Sequence, residues 1–246
     1  MPHTVRTIVL ILAAVPFLLT AGCNASHAVT LQGDGSGTMA LHLEVSKLLH
    51  DYVAGLAEVS GAPRTTAPDL IFDLPEIRRG FESQPGITVQ NVSSSDPRSL
   101  DVELSFASLS NVFEGQPGLK GANAVTFAQA DGLSSLRIHI DRENYRQIAA
   151  FFPMLASPLL QSLGPQVDQK ITQADYLEMI RFSIGDEAPG LARKSSITIR
   201  VRPDGDIVSQ AGGVASGDEV VFQVPLLRVL LLDAPLDFSL TFRPRE

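Results

Sequence analysis

The 246-residue chain contains no tryptophan and a single cysteine. A disulfide within the chain is therefore impossible, and closed zinc sites built from several Cys and His residues lack their ligands. Basic residues are also few, since 19 Lys and Arg stand against 27 Asp and Glu, a formal net charge of −8. A chain this acidic is repelled by phosphate backbones and by anionic lipid surfaces, which argues against nucleic acid as a partner.

Sequence motifs of common catalytic sites are also missing. A serine hydrolase needs Gly-x-Ser-x-Gly, and the glycine-rich stretch 33–37 has its serine one place off. No lysine has a serine three residues before it, and no His-Glu-x-x-His pair is present. The pair Asp204 and Asp206 supplies too few oxygens for calcium. We therefore expect no enzymatic activity, no metal site and no cofactor.

What the chain does have is a distinctive N-terminus, MPHTVRTIVLILAAVPFLLTAGC. Arg6 gives a positive start, an apolar run extends from Ile8 to Leu19, and the small residues Ala21 and Gly22 follow. This is the layout of an export signal peptide over residues 1–22. The run is shorter than the ~20 residues that cross a bilayer. A transmembrane anchor or a buried core helix is the alternative interpretation.

The stretch Leu-Thr-Ala-Gly-Cys at 19–23 resembles the lipobox of bacterial lipoproteins. In that family a peptidase cuts before the cysteine, whose thiol carries a diacylglyceryl group, and the new amine is usually acylated. The resemblance implies lipidation at Cys23 and a lipidated tether over 23–27. Thr20 departs from the family, which prefers leucine there. A plain secretory signal followed by an unmodified cysteine is the alternative.

The same resemblance implies a location. Two or three long acyl chains such as palmitate hold a protein firmly on a membrane. The expected location is the cell envelope with its periplasm, anchored to the outer membrane or to the outer face of the cytoplasmic membrane. In enteric bacteria an Asp after the cysteine tends to keep lipoproteins at the inner membrane, so by analogy Asn24 permits the outer membrane.

Residues 28–246 carry the patterns of one folded domain. Several stretches alternate apolar and polar residues, which is typical of half-buried strands. Their apolar faces are Met39, Leu41, Leu43 and Val45; Leu100, Val102, Leu104 and Phe106; Leu136, Ile138 and Ile140; Ile197, Ile199 and Val201; and Leu236, Phe238, Leu240 and Phe242. Turn residues at 33–37 predict a hairpin, and those at 203–206 predict a second one between the strands at 197–201 and 207–210.

Capping residues and helical spacing predict helices over about 46–60, 141–152, 157–163 and 172–184. The fold class is therefore α+β, an antiparallel β-sheet with helices packed on one face. We expect a single domain over 28–246, with a helical insertion at about 141–190.

One feature points to a binding function. The segment 149–163 reads AAFFPMLASPLLQSL, and the helix that follows is apolar around most of its circumference. Such a helix is buried between two layers, lines an apolar cavity or contacts a partner. Phe and Met suit an adaptable lipid cavity and a core equally well. The candidate ligand-binding residues are Phe151, Phe152, Met154, Leu159, Tyr176, Met179 and Phe182.

A second resemblance covers most of residues 28–245. The stretch GDGSGT at 33–38, a strand ending Leu-Glu-Val, a helix, ITV at 87–89 and LDVELSF at 100–106 are similar to the LppM-like lipoproteins. Near the end, a Gly-Asp strand leading into Val-Pro-Leu-Leu is similar too. The C-terminal membrane helix expected in that group is lacking, which leaves Cys23 as the anchor. The resemblance implies lipid binding and transfers no catalytic residue.

The sequence thus predicts a membrane-anchored, non-enzymatic bacterial lipoprotein that binds a lipid or other apolar ligand between its sheet and the helices of 141–184. The alternative is an envelope scaffold or assembly component that docks a protein partner through these apolar helices. A third hypothesis, a hydrolase without a standard motif, requires a buried Ser or Asp beside His42 or His139.

Overall fold

The computed structural model describes residues 23–60, 72–109, 124–145, 164–165 and 171–245. The strands are β1 (Asn24–Leu31), β2 (Gly37–Glu44), β3 (Ile87–Ser93), β4 (Ser99–Phe106), β5 (Val125–Ala130), β6 (Leu133–Ile140), β7 (Ser196–Pro203), β8 (Gly205–Ala211), β9 (Val214–Ser216), β10 (Glu219–Pro225) and β11 (Leu236–Pro244). The helices are α1 (Lys47–Ser60), α2 (Leu74–Glu82), α3 (Gln173–Ile184), α4 (Ala188–Lys194) and α5 (Leu226–Leu231).

The predicted helices at 46–60 and 172–184 are confirmed as α1 and α3. Thr172 caps α3 as its sequence suggests, since the Thr172 hydroxyl accepts a hydrogen bond from the Asp175 backbone N–H. The predicted helices over 141–152 and 157–163 lie largely outside the described residues. Helix α2 was not predicted; Asp73 caps it by accepting from the backbone N–H of Glu76 at 2.9 Å.

The strands form two sheets rather than the single sheet predicted. A seven-stranded sheet has the order β3-β4-β2-β1-β7-β10-β9, and a four-stranded sheet has the order β5-β6-β11-β8. Strand β1 pairs with β2 antiparallel and with β7 parallel, so the larger sheet is mixed. The α+β class is confirmed, with one parallel pair at the centre of an otherwise antiparallel arrangement.

The two predicted turns behave differently. The turn at 33–36 joins β1 to β2, where the Asp34 carboxylate accepts hydrogen bonds from the Ser36 N–H and hydroxyl. The predicted hairpin at 203–206 is wrong, because β7 ends in the larger sheet and β8 begins in the smaller one. The Asp204 N–H donates to the Leu31 carbonyl oxygen at 2.8 Å, which holds the corner between the sheets.

One apolar core joins the inner faces of both sheets. Phe222 of β10 and Phe238 of β11 meet edge to face, with ring centroids 5.2 Å apart. Helix α2 adds Ile77 and Phe81 to this core. The inward faces predicted for β4 and β11 are confirmed by eight buried side chains: Leu100, Val102, Leu104, Phe106, Leu236, Phe238, Leu240 and Phe242.

A second apolar cluster lies among the helices. Its buried members are Tyr176, Leu177, Ile180, Ala188, Leu227 and Leu231, from α3, α4 and α5. Helix α5 follows β10 directly, and its Leu226 N–H donates to the Ser195 carbonyl oxygen at 3.0 Å. The helical cluster therefore sits at one end of the larger sheet. Among helices in the described ranges, none is long and apolar enough to cross a membrane.

The contact between the sheets predicts a large stability effect. Phe222 is 1% exposed, so Phe222→Ala removes the ring that joins the sheets and should lower the free energy of unfolding by about 3–5 kcal/mol. The control Val208→Ala alters a side chain that is 51% exposed and should change it by less than about 0.5 kcal/mol. Urea unfolding followed by circular dichroism measures both. Equal effects would show that this contact does not hold the sheets together.

Candidate functional site

Cys23, the predicted lipidation site, lies immediately before the central strand of the larger sheet. The next residue, Asn24, is already paired with Glu44 of β2 and with Ser196 of β7. Residues 24–27, expected to form a tether, are thus the first half of β1. Ala25 and His27 share the inward side of this strand with Val29.

The Cys23 thiol is free and half-buried. Its Sγ atom accepts a hydrogen bond from the Ser46 backbone N–H at 3.4 Å, and the side chain packs against the core. Three helix termini lie at the same end of the larger sheet as Cys23. Helix α1 begins at Lys47, α4 ends at Lys194 and α5 begins at Leu226. We call this region the Cys23 end, formed by Cys23, Ser46–Lys47, Arg193–Ser195 and Pro225–Leu226.

The candidate ligand-binding residues divide into three groups. Tyr176 is 2% exposed within the helical cluster, and Met179 is partly buried beside it. Phe182 is 91% exposed on the opposite side of α3. Burial, with Tyr145 nearby, raises the pKa of Tyr176 above its ordinary range, so its phenol stays neutral. The other candidates, Phe151, Phe152, Met154 and Leu159, lie outside the described residues.

Two shallow depressions indent the described surface. One, of about 210 Å³, lies between the ends of β10 and β11 and includes Arg228 and Asp237. The other, of about 170 Å³, lies over β1 and β2, between Arg200 on one side and Asp101 and Glu103 on the other. Pockets for drug-sized ligands are typically about 300–1,000 Å³. Both depressions are smaller than that range.

Two of the strand histidines, His42 and His139, are paired with carboxylates. His42 Nδ1 lies 2.7 Å from Asp101 Oδ1. His139 Nδ1 lies 2.7 Å from Asp237 Oδ1, and its Nε2 lies 3.2 Å from Asp141 Oδ2. The hydrogen bond with Asp237 is the main reason that the pKa of His139 is raised, and Asp141 adds to it. Two carboxylates thus favour the charged ring, which is a poor general base.

The hydrolase hypothesis required a buried Ser or Asp beside one of these rings. The carboxylates beside His42 and His139 are 28–54% exposed. Within the described part of the chain, neither ring is hydrogen-bonded to a hydroxyl group that could act as a nucleophile. The described residues also contain no group of three or more His, Cys, Asp or Glu side chains arranged to hold a metal ion.

His27 is a titratable residue whose position the sequence analysis missed, because it was assigned to the tether. It lies on the inward side of β1, paired with Leu41 and Ile199. Burial of the ring lowers its pKa from its usual value near 6.5 to about 4. The alternation of Ala25, His27 and Val29 before the first turn was the available signal that this segment is a strand.

Comparison with known proteins adds one structural likeness. No protein-family model matches the chain, and no curated protein shows a significant match. Among solved structures, the chain is similar to the folded domain of LppM from Mycobacterium tuberculosis, determined by NMR. The TM-score is 0.41 at 10% sequence identity, over 94% of this chain and 96% of that chain.

The burial of His27 predicts a specific acid sensitivity. As the pH falls below about 6.5, the unfolded chain takes up a proton on His27 before the folded protein does, so stability declines from about pH 6.5 toward pH 4. For a folded pKa of about 4, the loss at pH 5 relative to pH 7.5 is about 2 kcal/mol. His27→Gln, which stays neutral, should remove that share of the loss. Urea unfolding of both proteins at the two pH values measures it, and identical losses would contradict a buried neutral ring.

Proposed function

We propose that the chain is an exported bacterial lipoprotein, held on a membrane of the cell envelope by a lipid on Cys23 and acting by binding rather than by catalysis. The observation that carries this proposal is the position at which the first described strand begins. The lipobox resemblance predicts cleavage between residues 22 and 23, and β1 starts at Asn24. Cleavage there would release the signal segment and leave every described strand and helix intact.

The state of Cys23 supports the same proposal. It is the only cysteine of the chain, so lipidation breaks no disulfide within the chain. A thioether sulfur can still accept the hydrogen bond that the Ser46 N–H donates. The half-buried Cys23 side chain lies at the end of the sheet, where an attached diacylglyceryl group can leave the domain without crossing the core. Two or more acyl chains provide stable membrane attachment.

The proposed ligand is a lipid or another apolar molecule held at the helical cluster. Partly buried apolar side chains surround the buried members of this cluster: Leu48, Ile171, Met179, Ile184, Ala192 and Leu230. These partly buried side chains offer apolar surface against which an acyl chain could pack.

A scaffold role, with a protein partner docked on the helices, is the second candidate. It is favoured by Phe182, which is 91% exposed on α3. A large apolar side chain that points away from its own helical cluster can serve as an anchor in a partner's pocket. Since Phe182 contributes little to the core, Phe182→Ser should leave the fold intact and weaken only such an interface.

Lipidation is tested by labelling with a palmitate analogue in a bacterial host. The wild-type protein should incorporate the label and fractionate with membranes, whereas Cys23→Ser should do neither. Ser replaces sulfur by oxygen at nearly the same size, so the variant should retain the fold, which circular dichroism can check. Blocking the lipoprotein signal peptidase should cause the uncleaved precursor to accumulate. Equal labelling of the wild type and Cys23→Ser would contradict the anchor.

Ligand binding is tested by native mass spectrometry of residues 24–246 purified from bacteria, followed by solvent extraction. We expect a bound apolar molecule at close to one per chain, released when the protein unfolds. A bare protein mass, with no uptake of added phospholipid, would exclude the ligand and favour the docking role. In that case Phe182→Ser becomes the decisive variant for partner binding.

A further inference from the structure

We propose that the Cys23 end rests directly on the lipid headgroups, so that the domain is held in one orientation instead of moving freely on a tether. The occupant of this surface is the bilayer that holds the anchor. The inference rests on the proposed lipidation of Cys23 and goes beyond it, because a lipid anchor alone leaves orientation open.

No flexible spacer separates Cys23 from the first residue of β1. A flexible chain contributes at most ~3.3–3.6 Å of reach per residue. Here the residue after Cys23 is already hydrogen-bonded in the sheet, between Glu44 and Ser196. No residue is left to lift the domain away from the membrane surface. The helix termini at Lys47, Lys194 and Leu226 are therefore brought to the level of the headgroups.

Strand β1 resists being pulled out of the sheet. It is an interior strand, paired along its whole length with β2 on one side and β7 on the other. Freeing residues 24–27 as a tether would break ladder hydrogen bonds on both sides at once. It would also withdraw His27 from the inward side of the sheet, where it is paired with Leu41 of β2 and Ile199 of β7. A strand at the edge of a sheet would separate more easily.

The charge of the Cys23 end also favours contact with the membrane. Lys47, Arg193 and Lys194 are exposed near Cys23. Arg193 and Lys194 have no acidic partner within the described ranges, whereas Lys47 is paired with Asp51. Cationic side chains next to a membrane anchor are attracted to anionic headgroups. Although the chain as a whole is acidic, Arg193 and Lys194 thus add attraction to anionic headgroups at the end that the anchor brings to the membrane.

The experiment uses the full chain, processed and lipidated in a bacterial host and reconstituted into phosphatidylethanolamine–phosphatidylglycerol vesicles. Since Cys23 carries the lipid, an introduced cysteine is the only free thiol. Lys194→Cys places a fluorophore at the Cys23 end. Ser216→Cys places one at the far end of β10, whose Glu219 pairs with Ser216, roughly 20 Å away along the strand. Lipids with a nitroxide on the headgroup quench fluorophores that lie at the membrane surface.

We expect quenching of the label at 194 and not of the label at 216. A ten-residue Gly-Ser spacer between Cys23 and Asn24, with a reach of roughly 16–19 Å, should abolish the quenching at 194 while the protein stays on the vesicles. Equal quenching at both positions, or quenching at 194 that the spacer leaves unchanged, would overturn the orientation but not the anchor. A protein that lacks the lipid by mass and does not bind the vesicles would overturn the proposed function itself.

Discussion

The structure depends on one constraint, the pairing of β1 on both sides from its first residue. Strand β1 joins two parts of the chain that are far apart in sequence, since β2 follows it directly and β7 begins at Ser196. Without its parallel pairing to β7, the strands at 24–106 and those at 196–225 would not form one sheet. The position of Cys23 at the end of this strand follows from the same pairing.

Much of this architecture can be predicted from the period-two alternation of the sequence. The inward faces of β4 and β11, the hairpin at 33–36 and the helices α1 and α3 all follow from local patterns and capping residues. The division into two sheets does not. Strands β7 and β8 would show the same alternation whether they paired with each other or with distant strands. The corner at Asp204 depends instead on packing between the two sheets, where Phe222 contacts Phe238.

The candidate site, too, could be predicted only in part from local sequence patterns. Cys23 could be singled out from the sequence because its context resembles a lipobox. The role of residues 24–27 could not, because a short stretch after a signal peptide looks the same whether it is free or paired. His27 is the clearest case: its polarity suggests exposure, whereas β1 places its ring inside, where burial lowers its pKa. In α3, apolar residues all around the helix left three alternatives open, namely burial, a cavity lining or a partner contact. Tyr176 and Ile180 are buried, whereas Phe182 is exposed.

The position of β1 directly after the anchor residue implies that this strand stays intact in the membrane-bound protein. Hydrogen–deuterium exchange of the lipidated full chain on vesicles tests it most directly, because amides in an interior strand open only when a larger part of the structure opens. The amides of 24–31 should be protected as strongly as those of β7. Rapid exchange over 24–27, with protection beginning only near Val29, would show that these residues form a tether.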